Sequence, residues 1–242
     1  MITDRRAGSA TRIGRLPAGR LLAEFSLWSA DLLRLGEALN ATRDHADLYH
    51  LDVADGHFAP SLLFFPDLVA RIRQATDVAL HVHLMATNEI LLDQVSQFAE
   101  AGADLISIHA ENGEAIEPAL DMLAKRDVAA GLVLKIDTPV EAVAPFLDRL
   151  AMVTLLGTAI GVKGQALDPR ACSRIADAKR LVAANGARRI ILAADGGIRS
   201  STVPELRWAG AETVVMGSLA FEADDLAARM AWLKSLSEGE GR

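Results

Sequence analysis

The chain predicts an α/β fold of the (β/α)8 TIM-barrel class, and three observations carry that expectation. Short aliphatic and β-branched runs alternate with amphipathic stretches of roughly 10 to 15 residues, the pattern of βα units around a parallel sheet. Eight such units follow one another from Leu21 onward, the number and size of a compact barrel. No Gly-x-Gly-x-x-Gly follows the first strand, so the main signal for a doubly wound, dinucleotide-binding sheet is missing.

Taken in order, the strands are expected at Leu21 to Ser26, Leu48 to Asp52, Leu80 to Leu84, Leu105 to His109, Ala129 to Leu134, Met152 to Leu156, Arg189 to Ala193 and Thr213 to Met216. Helical periodicity fills the intervals. It is clearest over Ile90 to Ala101, before an Ala-Gly-Ala-Asp turn, and over Asp168 to Asn185, where Gly186 is placed to cap the C-terminus. The barrel is therefore expected as one domain over residues 21–236, with a short tail at 237–242. Residues 1–20 stand apart, with five arginines against the single acid Asp4 among Gly, Ser, Thr and Pro. They read as a basic, flexible extension; an organelle transit peptide has a similar composition.

Composition narrows the partners. With 242 residues, 51% hydrophobic, 24% charged and a net charge of -7, the chain has the profile of a globular protein with no bias toward nucleic acid. No apolar run approaches the roughly 18 to 20 residues of a membrane span, and no secretory signal is visible, so a cytoplasmic protein is expected. The one cysteine, Cys172, lies in a helical pattern and offers neither a disulfide framework nor a thiolate metal cluster.

If the barrel closes, chemistry belongs where strands end and βα loops begin. His50-Leu51-Asp52 poses the first problem, because residues two apart share one face of a strand and burying two polar side chains there is costly without partners. The third strand adds His81 and His83, the fourth ends in His109, and the seventh runs into Asp195-Gly196-Gly197. Two histidines and two aspartates converging on one rim suit a divalent cation. Each histidine taken singly reads better as a hydrogen-bonded core residue, a reading that weakens when four polar residues share the same rim. A second constellation is made of Gly161, Gly164, Gly196, Gly197 and Gly217 with Ser218, after the last three strands, where backbone N–H groups commonly hold a phosphate.

Ser26-Leu-Trp-Ser-Ala-Asp31, His50-Leu-Asp-Val-Ala-Asp-Gly-His-Phe58, His83-Leu-Met85, Ala101-Gly-Ala-Asp104 with Ile108-His109, Thr138-Pro139, Gly164-Gln165, Asp195-Gly-Gly197 and Gly217-Ser218 occur in one order along nearly the whole chain after Leu21. That series resembles the ribulose-phosphate 3-epimerases, barrels of the ribulose-phosphate-binding type. The resemblance implies that His50, Asp52, His83 and Asp195 bind one divalent metal (zinc, iron, manganese or cobalt), and that Asp52 and Asp195 are also the two acid/base groups. It places Ser26 near the reacting hydroxyl and Met85 against the substrate. It makes Gly161, Val162, Lys163 and Gly164, with Gly196, Gly197, Gly217 and Ser218, the phosphate grip. It also implies a homo-oligomer and a small sugar phosphate as substrate.

The residue types suit that chemistry. Inverting a carbon beside a ketone removes a proton from one face and returns one to the other, so two carboxylates are needed. The enediolate between those steps carries negative charge that a cation can stabilise. No organic cofactor is required.

The departures bear on the substrate. Asp-Val-His-Leu-Met is the usual form of the third strand, and His81 replaces the aspartate here. Ala54 and Leu156 stand where methionines line the ceiling of the site, which would widen it. Lys135 and Lys163 enter rim loops, where they read either as solvated surface charge or as site residues, Lys163 supplementing the phosphate grip and Lys135 meeting a substrate oxygen or carboxylate. The alternatives are an epimerase acting on a tetrulose or hexulose phosphate, a lyase on the same barrel and a sugar-phosphate sensor. A Schiff-base aldolase would use Lys135, whereas a decarboxylase of the Asp-x-Lys-x-x-Asp type lacks its lysine.

Overall fold

A computed structural model describes residues 9–186 and 189–236. Strands β1 (Leu22–Ser26), β2 (Leu48–Ala54), β3 (Ala79–Met85), β4 (Leu105–His109), β5 (Ala129–Leu134), β6 (Met152–Leu156), β7 (Ile191–Asp195) and β8 (Thr213–Met216) form a closed barrel in sequence order. Each strand pairs in parallel with the next, and β8 pairs with β1. Helices α1 (Ser9–Gly14), α2 (Leu35–Thr42), α3 (Pro66–Ala75), α4 (Asn88–Glu100), α5 (Ile116–Lys125), α6 (Ala171–Asn185), α7 (Val203–Ala209), α8 (Ser218–Phe221) and α9 (Leu226–Ser235) accompany them. A 3-10 turn, Val140–Phe146, replaces a helix after β5, where Pro145 removes a backbone donor. Gly186 ends α6 in the left-handed conformation.

Alternation along the strands sorts the residues into two populations. Outward-facing side chains such as Tyr49, Leu51, Val82, Ile106, Leu132 and Val153 join the helices in one continuous apolar layer. The inward-facing ones stack in tiers along the barrel axis. The floor is apolar, made by the first residues of the strands, among them Leu22, Leu48, Leu105, Met152 and Ile191. Above it sits a buried polar tier containing Glu24, His50, His81, Ser107, Thr154 and Thr213. Ser26, Asp52, His83, His109, Leu156 and Asp195 close the stack at the C-terminal ends of their strands.

Two boundaries differ from the sequence reading in ways that matter. β7 spans Ile191 to Asp195 rather than Arg189 to Ala193. Arg189 instead turns away to meet Glu212 and the carbonyls of Leu16 and Pro17, so the sheet begins two residues later and its last residue is Asp195. β2 runs on to Ala54, which puts both His50 and Asp52 inside the strand.

Where a flexible extension was expected over 1–20, residues from Ser9 onward form α1 and a docked segment. Residues 1–8 and the expected tail at 237–242 lie outside the described residues. Ile13 is buried against the barrel floor. Arg12 donates to the buried Asp104 carboxylate at 2.6 Å, and Arg20 forks onto Asp47 at 2.7 and 2.6 Å. Ile13→Ala should cost about 2 kcal/mol, the lower end for truncating a buried isoleucine, read as a lowered denaturation midpoint. An unchanged midpoint would mean that the floor holds without α1.

Candidate active site

The register of β2 against β3 sets His50 beside His81 and Asp52 beside His83, with all four side chains turned inward. Asp195 at the end of β7 completes the group. His50 Nε2 lies 3.3 Å from Asp52 Oδ1 and 3.9 Å from Asp195 Oδ2, and His83 Nδ1 lies 3.4 and 3.6 Å from the same two atoms. A tetrahedral cation with ligands at about 2.0–2.1 Å needs ligand atoms about 3.3–3.5 Å apart. The four donors nearly satisfy that spacing.

A second observation points the same way. His50 Nε2 and His83 Nδ1 are buried without a hydrogen-bond partner, and both face the two carboxylates. Orphaned buried polar atoms are rare and call for a cause. Each imidazole spends its other nitrogen on a neighbour instead. His50 Nδ1 bonds Glu24 Oε1 at 2.8 Å; His83 Nε2 meets His109 Nε2 at 2.9 Å, and His109 Nδ1 bonds Glu111 Oε2 at 2.9 Å. With both carboxylates accepting, the network assigns Nδ1–H to His50 and His109 and Nε2–H to His83. The two free lone pairs therefore point at one place. The residues fit a divalent cation, with His50, Asp52, His83 and Asp195 as the group that could hold it.

The two carboxyls differ in their surroundings. Burial raises both and opposes a charge on His50, but Asp52 and Glu24 lift His50 well above its ordinary value. Where a proton rather than a cation sits on Nε2, His50 with His83 therefore holds the Asp52 carboxyl well below the ordinary range. At Asp195 burial, reinforced by the charge of Asp52, leaves the carboxyl above its ordinary value. Ser26 Oγ donates to Asp52 Oδ2 at 3.0 Å. Burial also lowers His109 to about 4, so it stays neutral behind His83.

Asp52, His83 and Asp195 open into a cavity of about 410 Å³. Ser26, Met85, Gly161, Val162, Lys163, Gly164, Gly196, Gly197, Gly217 and Ser218 all line it, so the residues that the family resemblance assigned to the metal, the acid/base pair and the substrate reach this one space, except the fully enclosed His50. Gly196 and Gly197 have φ of 88° and 71°, and a Cβ on Gly196 would lie 2.2 Å from Thr158 Oγ1. Only glycine lets this turn run so close to its neighbour.

The expectations for Lys135 and Ala54 need correction, whereas Lys163 lies where it was expected. Lys135 does not line the cavity; its ammonium stands over the Phe58 ring, 4.0 Å from the centroid, so the aldolase reading loses its nucleophile. Lys163 does line it, and its Nζ donates to the Trp28 carbonyl at 2.7 Å, tying two rim loops together. Ala54 packs with Ala59 behind the cavity-lining Met85, so of the two replacements only Leu156 lines the cavity itself. Sequence reasoning missed Glu24, Glu111 and the cavity-lining Arg199. A charged residue two before Ser26, in an otherwise apolar run, was the signal for Glu24.

A closed parallel barrel that gathers two imidazoles and two carboxylates beside glycine-rich loops at its C-terminal rim defines an enzyme of the (β/α)8 class. Within that class the chain belongs to the ribulose-phosphate 3-epimerase family, whose sequence profile matches residues 22–221. It is 37% identical over 204 residues to the ribulose-phosphate 3-epimerase of Chlamydia pneumoniae, covering 84% of this chain and 88% of that one. To the ribulose-phosphate 3-epimerase of Bacillus subtilis strain 168 it is 34% identical over 201 residues, covering 83% and 92%. A crystal structure of 3-hexulose-6-phosphate synthase superposes with a TM-score of 0.65 at 16% identity, over 90% of this chain and all of that one, a likeness of fold. No helix among the described residues is long and apolar enough to cross a membrane.

Proposed function

We propose that this isomerase interconverts D-ribulose 5-phosphate and D-xylulose 5-phosphate, or a closely similar ketose phosphate, by proton transfer between two carboxylates. The observation that carries the proposal is the pair of orphaned ring nitrogens facing Asp52 and Asp195 at the floor of a glycine-lined cavity. Asp52 and Asp195 arise from strands on different sides of the barrel, so a ketose lying between them meets one carboxylate on each face of its C3. One takes the C3 proton, and the other, arriving protonated, returns a proton to the opposite face. Ser26 holds Asp52 through its hydroxyl and stands within reach of a substrate oxygen. The backbone at Gly196-Gly197 and Gly217-Ser218, with Lys163 at the rim, takes the phosphate and fixes C3 between the acids. A divalent cation held by His50, Asp52, His83 and Asp195 would supply positive charge that stabilises the negative charge developing on the substrate oxygens.

The test is hydrogen exchange at C3 in deuterated water, with ribulose 5-phosphate beside tetrulose and hexulose phosphates, before and after chelation. Exchange that is lost on chelation and restored by one equivalent of zinc or manganese is the expected result. Exchange that persists in rigorously metal-free protein, or none on any of these ketoses with metal bound, contradicts the proposal.

A further inference from the structure

We infer that Glu24 and His81 form a positioning unit for the cation site, in which a carboxylate on the first strand is held against His50 by the imidazole of the third. The inference rests on the reading of His50 as a metal ligand. Glu24 is fully buried in the tier beneath the cavity, a place where an ionised carboxylate persists only if its acceptor capacity is met. It is met by two imidazoles and a hydroxyl. Oε1 takes His50 Nδ1–H at 2.8 Å and His81 Nδ1–H at 2.5 Å, and Oε2 takes the Thr213 hydroxyl at 3.2 Å.

His81 is clamped from its other side as well. Its Nε2 accepts from Ser107 Oγ at 2.7 Å, and Ser107 has room to donate because residue 131 is glycine; a Cβ there would lie 2.1 Å from that hydroxyl oxygen. A chain of contacts therefore runs from β5 through β4 and β3 to β1, and ends at the back of His50. With Nδ1–H committed to Glu24, His50 presents a lone pair on Nε2 toward Asp52 and Asp195. A carboxylate behind a metal-bound histidine fixes its tautomer and raises its basicity, and removing one weakens metal affinity about 10–100-fold.

The replacement of the expected aspartate by His81 acquires a reason. His50 and His81 are paired in register, with ring centroids 4.8 Å apart and planes at 87°, so either strand can place a group behind His50. In this chain β1 supplies the charge and β3 supplies a neutral donor that orients it.

The experiment measures zinc affinity of the full chain by competition with a chromophoric chelator, with thermal midpoint and zinc stoichiometry recorded for each variant. Glu24→Ala should bind zinc about 10–100-fold more weakly than the unaltered protein. Glu24→Ala combined with His81→Asp should recover most of that loss, because a carboxylate at 81 falls beside the same imidazole. The control, Glu24→Ala with His81→Asn, should not recover it. Unaltered affinity in Glu24→Ala, equal affinities in the two double variants, or two zinc ions per chain with Glu24 as a ligand would each overturn the inference. Failure of the epimerase reading is separate, since it shows as absent or chelator-resistant C3 exchange in the unaltered protein.

Discussion

Asp195→Asn, assayed with its cation site saturated, is expected to lower ketose-phosphate inversion by about 10²–10⁴-fold, the usual contribution of a positioned acid or base. The substitution keeps the shape and one metal-ligating oxygen but removes the ability to exchange a proton. Asp52, held ionised by His50 and His83 and bonded by Ser26, is left intact. Inversion needs both faces of C3, whereas exchange needs only one. The variant should therefore still trade the C3 hydrogen of one epimer with solvent while failing to turn that epimer into the other. Because Asp195 is also a proposed ligand, zinc content has to be measured in the same samples. Inversion near the unaltered rate, or loss of exchange from both epimers at full zinc occupancy, would place the second proton transfer elsewhere.

The second large effect lies at the other end of the barrel. Asp104 is fully buried, and its carboxylate accepts from Arg12 at 2.6 Å, from Arg73 at 2.8 Å and from the Leu80 backbone N–H at 2.9 Å. Asp104→Ala removes the counter-charge of two guanidinium groups, of which Arg73 keeps only the Thr76 and Val78 carbonyls, and leaves a buried amide without its acceptor; breaking a buried pair from one side costs about 3–5 kcal/mol. For a domain of this size, each kcal/mol shifts the midpoint by about 2–4 °C, so calorimetry should show a fall of roughly 6–20 °C. Arg12→Ala should cost less, because that side chain is partly exposed and Arg73 remains on the carboxylate. A fall of a degree or two in Asp104→Ala would mean that solvent reaches the floor and takes over the pairing.

Much of this architecture was legible in the sequence because a barrel writes itself in two simple periods. Four strands begin and end where the aliphatic runs do, and His50, Asp52, His83 and Asp195 meet because alternation alone turns them inward. What sequence concealed was pairing. Glu24 looked like a stray charge in an apolar run, since nothing local says that two histidines from other strands will close on it. Lys135 looked available for the same reason, yet its ammonium already stands over the Phe58 ring, brought over by the loop after β2. The basic segment ahead of Leu21 looked unattached because its acceptors, Asp47 and Asp104, are supplied by other parts of the chain.

That segment has a practical side. With Ile13 seated on the floor, and Arg12 and Arg20 tied to acids there, the chain enters the barrel on the side away from the cavity. An affinity tag or fusion partner joined ahead of residue 9 would hang from the underside, leaving the catalytic mouth turned to the bulk. The protein is thus suited to tethering on a bead or electrode by its leading end, provided the trimming stops short of Arg12.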